Sequence, residues 1–249
     1  MIKPIIAANW KMHKTVAESV DFSQRLAKEC EGLEEREVII APPATALYAV
    51  SQVLKGSTVQ LSAQNMHWEE KGAFTGEISA PMLADMGCQY ILIGHSERRT
   101  LFGETNETVN KKLQAALKFG IKPIVCVGET LEQRESEATF DIIKKQVKEG
   151  LNNISTGDIE CVSIAYEPVW AIGTGKTATP ELAEEVHRFI REILSSEFGE
   201  DAGIGTAIMY GGSVTPQNIG ELMDKPNING ALVGGASLDV TSFTGIIRY

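Results

Sequence analysis

Eight short apolar runs recur along the chain, beginning near Ile5, Val38, Val59, Tyr90, Ile124, Val162, Ile208 and Ala231. This repeat constrains the fold more than any other feature. The mean spacing is about 32 residues, the length of one strand, one loop and one helix. Helix signals fall between the runs. Thr15 with Glu18 makes a capping box, and Thr179-Pro180 and Thr215-Pro216 each place a capping residue before a first-turn proline. After Pro180, residues Leu182, Val186, Ile190 and Ile193 share one helical face. Strands that alternate with helices pair in parallel. Eight such units in 249 residues fit a closed (β/α)8 barrel, an α/β fold with outer helices, better than the alternative of an open doubly wound sheet. No low-complexity linker or shift in composition divides the chain, so residues 1–249 read as a single domain.

If the runs are barrel strands, the residues just beyond them converge on one rim. The first strand delivers Asn9 and Lys11, the fourth His95, the sixth Glu167, the seventh Gly211-Gly212-Ser213 and the eighth Gly234-Gly235. Glu167 follows the uncharged run Val162 to Tyr166 and precedes a stiff Pro168. Gly173 and Gly175 then allow a segment of about ten residues to swing as a lid over the carboxylate. An ordinary strand-to-helix loop with an exposed Glu is the plainer interpretation of that segment alone. The two glycine pairs remove side chains that would keep backbone N–H groups from a phosphate, and a helix start after Gly235 would add its dipole. Tight turns are the plainer interpretation of either pair. Gly175-Lys176-Thr177 is not a nucleotide P-loop, because the glycine required five places before Gly175 is Trp170.

A carboxylate and an imidazole beside a phosphate cradle suit proton removal next to a carbonyl in a small phosphorylated sugar. Glu167 would move the carbon-bound proton, His95 would polarise the carbonyl, and Lys11 would offset the developing ene-diolate charge. No metal-ligand set, cofactor fingerprint or activated nucleophile is evident, and aldose–ketose isomerisation needs none. The net charge of −10 disfavours nucleic acid and anionic membranes as partners and requires the site itself to be locally positive. Cys30, Cys88, Cys126 and Cys161 are widely spaced and read as unpaired thiols, mostly buried. The Glu129 to Glu137 cluster reads as a solvated helix start. His13, His67 and His187 match no catalytic pattern and read as structural or surface residues. The start Met1-Ile2-Lys3-Pro4 leads straight into an apolar run without a cleavage site, and the longest uncharged stretch, Val38 to Leu54, carries Pro42-Pro43. A cytoplasmic protein without a membrane span is expected.

Five segments, NWKM at Asn9, GHSERR at Gly94, AYEPVWAIGTGK at Ala165, YGGSV at Tyr210 and ALVGGASL at Ala231, together resemble the triosephosphate isomerase family over nearly the whole chain. The resemblance implies a TIM barrel that interconverts dihydroxyacetone phosphate and D-glyceraldehyde 3-phosphate without a cofactor, a step of glycolysis and gluconeogenesis. It assigns catalysis to Lys11, His95 and Glu167, and substrate contacts to Asn9, Lys11, Gly173, Ser213, Gly234 and Gly235. It adds Glu97 as the support of Lys11 and Tyr210 as a brace for the closed lid, with supporting roles for Ser96 and Arg98. The segment Gln64 to Glu77 is long for a loop that merely leaves a strand, and length of that kind often signals a partner. It resembles the family's interdigitating loop, implying a homodimer in which Thr75 reaches the neighbouring active site. His13 and the pair Asn229-Gly230 depart from the commonest family pattern, and neither touches a catalytic position. A barrel isomerase for a larger phosphorylated sugar and a non-catalytic binding barrel are the alternatives. The lid motif argues against the first, and the intact Lys11, His95 and Glu167 argue against the second as a sole function.

Overall fold

The computed structural model describes residues 2–171 and 178–249. Its eight strands are β1 Ile5–Asn9, β2 Glu37–Ala41, β3 Gln60–Ala63, β4 Tyr90–Ile93, β5 Lys122–Val127, β6 Ser163–Tyr166, β7 Ala207–Tyr210 and β8 Gly230–Val233. They pair in parallel, in sequence order, and β8 returns to β1, so the sheet is a closed barrel rather than an open doubly wound sheet. Each strand begins within two residues of the run that foretold it. Gly230 is demanded by the closure, because a Cβ there would strike the Ile5 carbonyl on β1.

Alternation along each strand divides the core in two. Ile5, Ala7, Ile39, Leu92, Ile124, Ala165, Met209 and Leu232 fill the barrel interior. Their sequence neighbours Ile6, Ala8, Ile40, Ile93, Tyr166, Ile208, Tyr210 and Val233 face outward into the layer beneath the helices. The same period continues past the strand ends. Two residues beyond Ala7, Ala165, Met209 and Leu232 lie Asn9, Glu167, Gly211 and Gly234, at the C-terminal mouth where (β/α)8 barrels carry their chemistry.

The helices follow their sequence signals with two differences. Helix Val16–Glu29 carries the Thr15–Glu18 capping box, and Pro180–Phe198 begins with Pro180 behind an N-capping Thr179. On the latter helix, Ala183, Val186, His187, Ile190, Ile193 and Leu194 are buried, while Leu182 is only partly so. Thr215-Pro216, however, opens a turn, and the helix starts later, at Ile219–Met223. The Asn218 side chain accepts the Thr215 N–H at 2.8 Å, as in a capping box, and the Thr215 carbonyl accepts the Ile219 N–H at 3.1 Å and the Asn218 N–H at 3.2 Å, so the turn leads directly into the helix. The residues after β8 likewise form a four-residue 3-10 turn, Gly235–Leu238, rather than an α-helix, and the next helix is Val240–Ile247.

His187 is structural: fully buried, it donates through Nδ1–H to the Asn227 carbonyl, 3.2 Å away, and its ring meets those of Tyr166 and Tyr210. His67 is the pillar of the Gln64–Glu77 loop: its ring contacts those of Trp68 and Phe74, its Nδ1 accepts the Glu69 backbone N–H at 3.0 Å, and its own backbone N–H donates to the Ile78 carbonyl. Asn229 is bound into the base of the barrel, where its Oδ1 accepts from Arg191 at 2.6 Å and from the Ile208 N–H at 3.1 Å. Cys30, Cys88 and Cys126 are buried and Cys161 is exposed, all as free thiols. No helix among the described residues is long and apolar enough to cross a membrane.

Candidate active site

The barrel mouth holds a cavity of ≈ 320 Å³ lined by Asn9, Lys11, His95, Glu167, Ser213, Gly234 and Gly235, with Gly211 and Gly212 in its wall. Every expected substrate-contact and catalytic position except Gly173 is therefore brought together. Gly173 and Gly175, with the rest of 172–177, lie outside the described residues.

Glu167 is 2% exposed and held at both oxygens. Its Oε1 is 2.9 Å from His95 Nε2, and its Oε2 accepts the Ser96 backbone N–H at 2.9 Å. Burial alone would push the carboxyl up. The facing His95 ring, the Ser96 N–H and Lys11 outweigh it and hold Glu167 below the usual carboxylate range. For His95, burial works to lower the pKa and the Glu167 carboxylate raises it, and the carboxylate wins while the two face each other. The ring's other nitrogen, Nδ1, accepts the Glu97 backbone N–H at 3.2 Å, so the proton of the neutral ring is on Nε2 and points into the site. Ser96 acts through its backbone. Arg98 points away, to Glu104 at 2.6 Å.

Lys11 occupies a left-handed backbone conformation, φ +52°, which a non-glycine residue adopts at a cost of on the order of 1 kcal/mol. Neighbours fix it there. Its N–H donates to Asn9 Oδ1 at 3.0 Å, its carbonyl accepts from Gln64 Nε2 at 2.9 Å, and its ammonium meets Glu97 Oε1 at 2.7 Å. The contact expected between Lys11 and Glu97 is present, and Gln64 is a further support that no motif in the sequence marks.

The two glycine pairs differ in what they make room for. A Cβ on Gly211 would lie 2.7 Å from Glu167 Cγ and 3.1 Å from the Tyr166 carbonyl, and one on Gly212 would fall on the Tyr210 ring. The first pair thus accommodates the protein's own side chains. A Cβ on Gly235 would meet nothing within 4 Å, and one on Gly234 would only touch Lys11 at ordinary contact distance. The second pair opens onto the cavity, and the first N–H groups of its 3-10 turn have no partner inside that turn.

Glu129 corrects the expectation of a solvated cluster. It is fully buried, accepting from the Tyr166 hydroxyl at 3.1 Å, from Trp170 Nε1 at 2.8 Å and from Arg134 at 3.2 Å. A charge so deep is stable only when paired and hydrogen-bonded. Its backbone carbonyl also accepts the Val169 N–H at 3.1 Å, so Glu129 ties down the described first half of the lid, Pro168 to Ala171. At the far end, the Tyr210 hydroxyl is buried near Ala178, the first described residue after the lid, without a hydrogen-bond partner among the described residues, and burial pushes it up to about 12. No group of three or more His, Cys, Asp or Glu side chains suited to a metal ion occurs among the described residues.

Thr75 is exposed at the tip of its loop and does not line the cavity of its own chain. Beside that cavity runs a groove of ≈ 510 Å³ lined by Lys11, Met12, Gln64, Glu97 and Phe102, among others.

Comparison with known proteins agrees with this geometry. The family model described as triosephosphate isomerase matches residues 4–249. The triosephosphate isomerases of Endomicrobium trichonymphae and Moorella thermoacetica are each 53% identical over 249 residues, spanning 100% of this chain and 99% of theirs. A crystal structure of triosephosphate isomerase from Bartonella henselae superposes with a TM-score of 0.91 at 40% identity, covering 99% of this chain and 98% of that one. With the fold, the mouth residues and whole-length relatives in agreement, the chain belongs to the triosephosphate isomerase family.

Proposed function

We propose that the chain interconverts dihydroxyacetone phosphate and D-glyceraldehyde 3-phosphate with Glu167 as the base, His95 as the electrophile and Lys11 as the charge partner. The cavity that gathers these three with Asn9, Ser213, Gly234 and Gly235 carries the proposal. At ≈ 320 Å³ it has room for a three-carbon phosphate. The substrate phosphate lies over Gly234 and Gly235, where backbone N–H groups approach it unhindered. The carbonyl oxygen then faces the Nε2–H of His95 and the ammonium of Lys11.

In the observed arrangement Glu167 is parked, since both oxygens already have donors. To act, its carboxylate leaves Ser96 and turns over Gly211 toward the substrate. It takes the proton from the carbon next to the carbonyl, the C–H electrons form the carbon–carbon double bond, and the carbonyl electrons move onto oxygen. Lys11 and His95 stabilise the ene-diolate so formed. His95 passes a proton between the two oxygens, and Glu167 returns its proton to the neighbouring carbon. Moving the carboxylate off His95 removes the influence that raises the ring's pKa, so the imidazole is neutral when it polarises the carbonyl. Gly173 completes the phosphate contacts as the lid closes, and Tyr210 braces the closed form.

The dimer belongs to the same proposal. The loop tip with Thr75 and the partly exposed Phe74 seats in the groove beside Lys11 and Glu97 of a second copy, covering the exposed Met12 and Phe102. The acidic charge and the metabolic role implied by the family fit a cytoplasmic enzyme. A coupled assay with glyceraldehyde 3-phosphate and no added metal or cofactor tests the chemistry. Wild type turns over fast, and Glu167→Ala collapses the rate; a Glu167→Ala protein of wild-type rate refutes the assignment of the base. Sedimentation at micromolar concentration tests the dimer, which an active 27.0 kDa monomer would refute.

A further inference from the structure

One side chain bridges, from behind, the end of β4 that leads into His95 and the end of β5 on which the Glu167 backbone rests. Arg99, on the helix Ser96–Phe102, reaches back beneath the barrel mouth. Its Nε donates to the Gly94 carbonyl at 2.8 Å, its Nη2 to the Cys126 carbonyl at 3.1 Å, and its Nη1 to Asn106 Oδ1 at 2.7 Å. Gly94 immediately precedes His95. Cys126 immediately precedes Val127, whose carbonyl accepts the Glu167 N–H at 2.7 Å. The guanidinium therefore holds the backbone that carries His95 and the backbone on which Glu167 rests.

The surroundings show why a fork is needed here. Gly94 has φ +72°, and a Cβ on it would come within 3.0 Å of Arg99 Nη2, so the turn into His95 is moulded against the guanidinium. Gly128, one residue past Val127, is pressed so closely on the Glu167 backbone that a Cβ would strike the Glu167 carbonyl. Behind the base, a cavity of ≈ 560 Å³ opens among Ser96, Arg99, Gly128, Glu167 and Val169. The β4–β5 ladder registers the two strands as far as Ile93 beside Val125, and just beyond it, where the strand ends border this cavity, the guanidinium joins the Gly94 and Cys126 carbonyls. A lysine could supply the charge but not three directed bonds. Asn106 in turn donates to Glu149 Oε2 at 2.8 Å, anchoring the third arm to the neighbouring helix, Thr139–Gly150.

We propose that Arg99 is a positioning residue for the isomerisation: it sets the separation between His95 Nε2 and the Glu167 carboxylate by tying the Gly94 and Cys126 carbonyls together. The proposal rests on Glu167 and His95 being the reacting groups. Arg99 touches neither substrate nor the phosphate-binding side of the cavity, so its loss acts on turnover and leaves binding alone.

Steady-state kinetics of Arg99→Met, Arg99→Lys and Asn106→Ala, with inorganic phosphate as a competitive probe of the empty site, provide the test. Arg99→Met is expected to lower kcat by about 10- to 100-fold, the range for a catalytic group displaced by up to about 1 Å. KM and the inhibition constant of phosphate stay within about twofold, since binding and transition-state interactions separate in these parameters. Arg99→Lys restores less than a tenth of the lost kcat, and Asn106→Ala, which frees only the third arm, lowers kcat a few-fold. If Arg99→Met fails to fold, the other two variants carry the test alone. Wild-type kcat in Arg99→Lys and Asn106→Ala, or a kcat loss matched by an equal loss of phosphate affinity, overturns the proposal. Glu167→Ala assayed alongside separates the two ideas: collapse there with unchanged Arg99 variants overturns the positioning role alone, and activity there removes the reading it rests on.

Discussion

Gly211 and Gly235 look alike in the sequence, each in a Gly-Gly pair after a strand, yet the structure gives their alanine variants opposite signatures. In Gly211→Ala the new methyl would lie 2.7 Å from Glu167 Cγ. Ordinary carbon–carbon contact is about 3.5 Å, so something must yield by roughly 0.8 Å. The backbone cannot yield cheaply: the Gly211 N–H is bonded to the Tyr166 carbonyl and the Glu167 N–H to the Val127 carbonyl, each at 2.7 Å. The Glu167 side chain moves instead, and misplacing a base by nearly 1 Å costs about 100-fold in rate. Overpacking of this kind costs about 1–3 kcal/mol, which for a chain of this length lowers Tm by roughly 2–12 °C. KM changes little, because the phosphate side of the cavity is untouched.

Gly235→Ala should do the reverse. Its methyl meets nothing within 4 Å and enters the open cavity. Stability stays within about 0.5 kcal/mol of wild type. KM rises by about tenfold or more, because the methyl stands where phosphate must approach the backbone, and each 1.4 kcal/mol of lost affinity is tenfold. Initial rates against substrate concentration, paired with thermal unfolding, separate the two signatures. Wild-type kcat in a Gly211→Ala protein of unchanged Tm would refute the claim that Glu167 needs that space. Wild-type KM in Gly235→Ala would refute the placement of the phosphate.

Glu129→Gln keeps the size of the buried acceptor but removes its charge, weakening its bonds with Arg134, Trp170 and Tyr166. Stability should fall by about 1–3 kcal/mol, and the emission of Trp170, within the lid, should shift, as fluorescence of the variant beside wild type will reveal; identical spectra and Tm would remove Glu129 as an anchor. His187 stays neutral to a lower pH than an exposed histidine. Burial lowers it to about 3 in the folded chain, against an ordinary value of 6.5. Between these values the unfolded chain binds the proton and the folded one does not, so stability declines as pH falls, by up to roughly 1.4 kcal/mol per pH unit. Replacing it in His187→Gln should flatten the dependence of Tm on pH between about 6 and 4, and an unchanged slope would assign acid sensitivity to other groups.

The barrel was legible because its signal is repeated: eight apolar runs with a constant period leave few topologies, and an error of two residues at any strand start changes nothing. The mouth residues were legible because the inward period of two continues through Asn9, Glu167, Gly211 and Gly234. What stayed hidden depends on neighbours distant in sequence. Glu129 carries the same charge as Glu132 and Glu135, and only its position under Tyr166 and Trp170 buries it. The glycines after β7 read as a phosphate cradle, but which Cβ collides with Glu167 is decided by the register of β6 against β7. Arg99 belongs to a recognisable segment, yet nothing in GHSERR tells which arginine turns inward to the strand ends and which outward to Glu104.

The site at rest also explains why so many of its supports are backbone groups. Glu167 must be ionised to accept a proton, and it is 2% exposed, so the fold has to hold a bare charge without water. The Ser96 N–H and the His95 Nε2–H do this in the parked position, and both donors are fixed by neighbours: Ser96 by the helix it begins, His95 by the Glu97 N–H at its other nitrogen. A base held by rigid donors gives up those bonds when it swings. That cost is tolerable only if the substrate and Lys11 replace them, and Lys11 is kept ready by a backbone angle that Asn9 and Gln64 enforce. With Glu167 as the base, the donors around it hold it in a satisfied, inactive position, and a phosphorylated carbonyl compound supplies the interactions that release it.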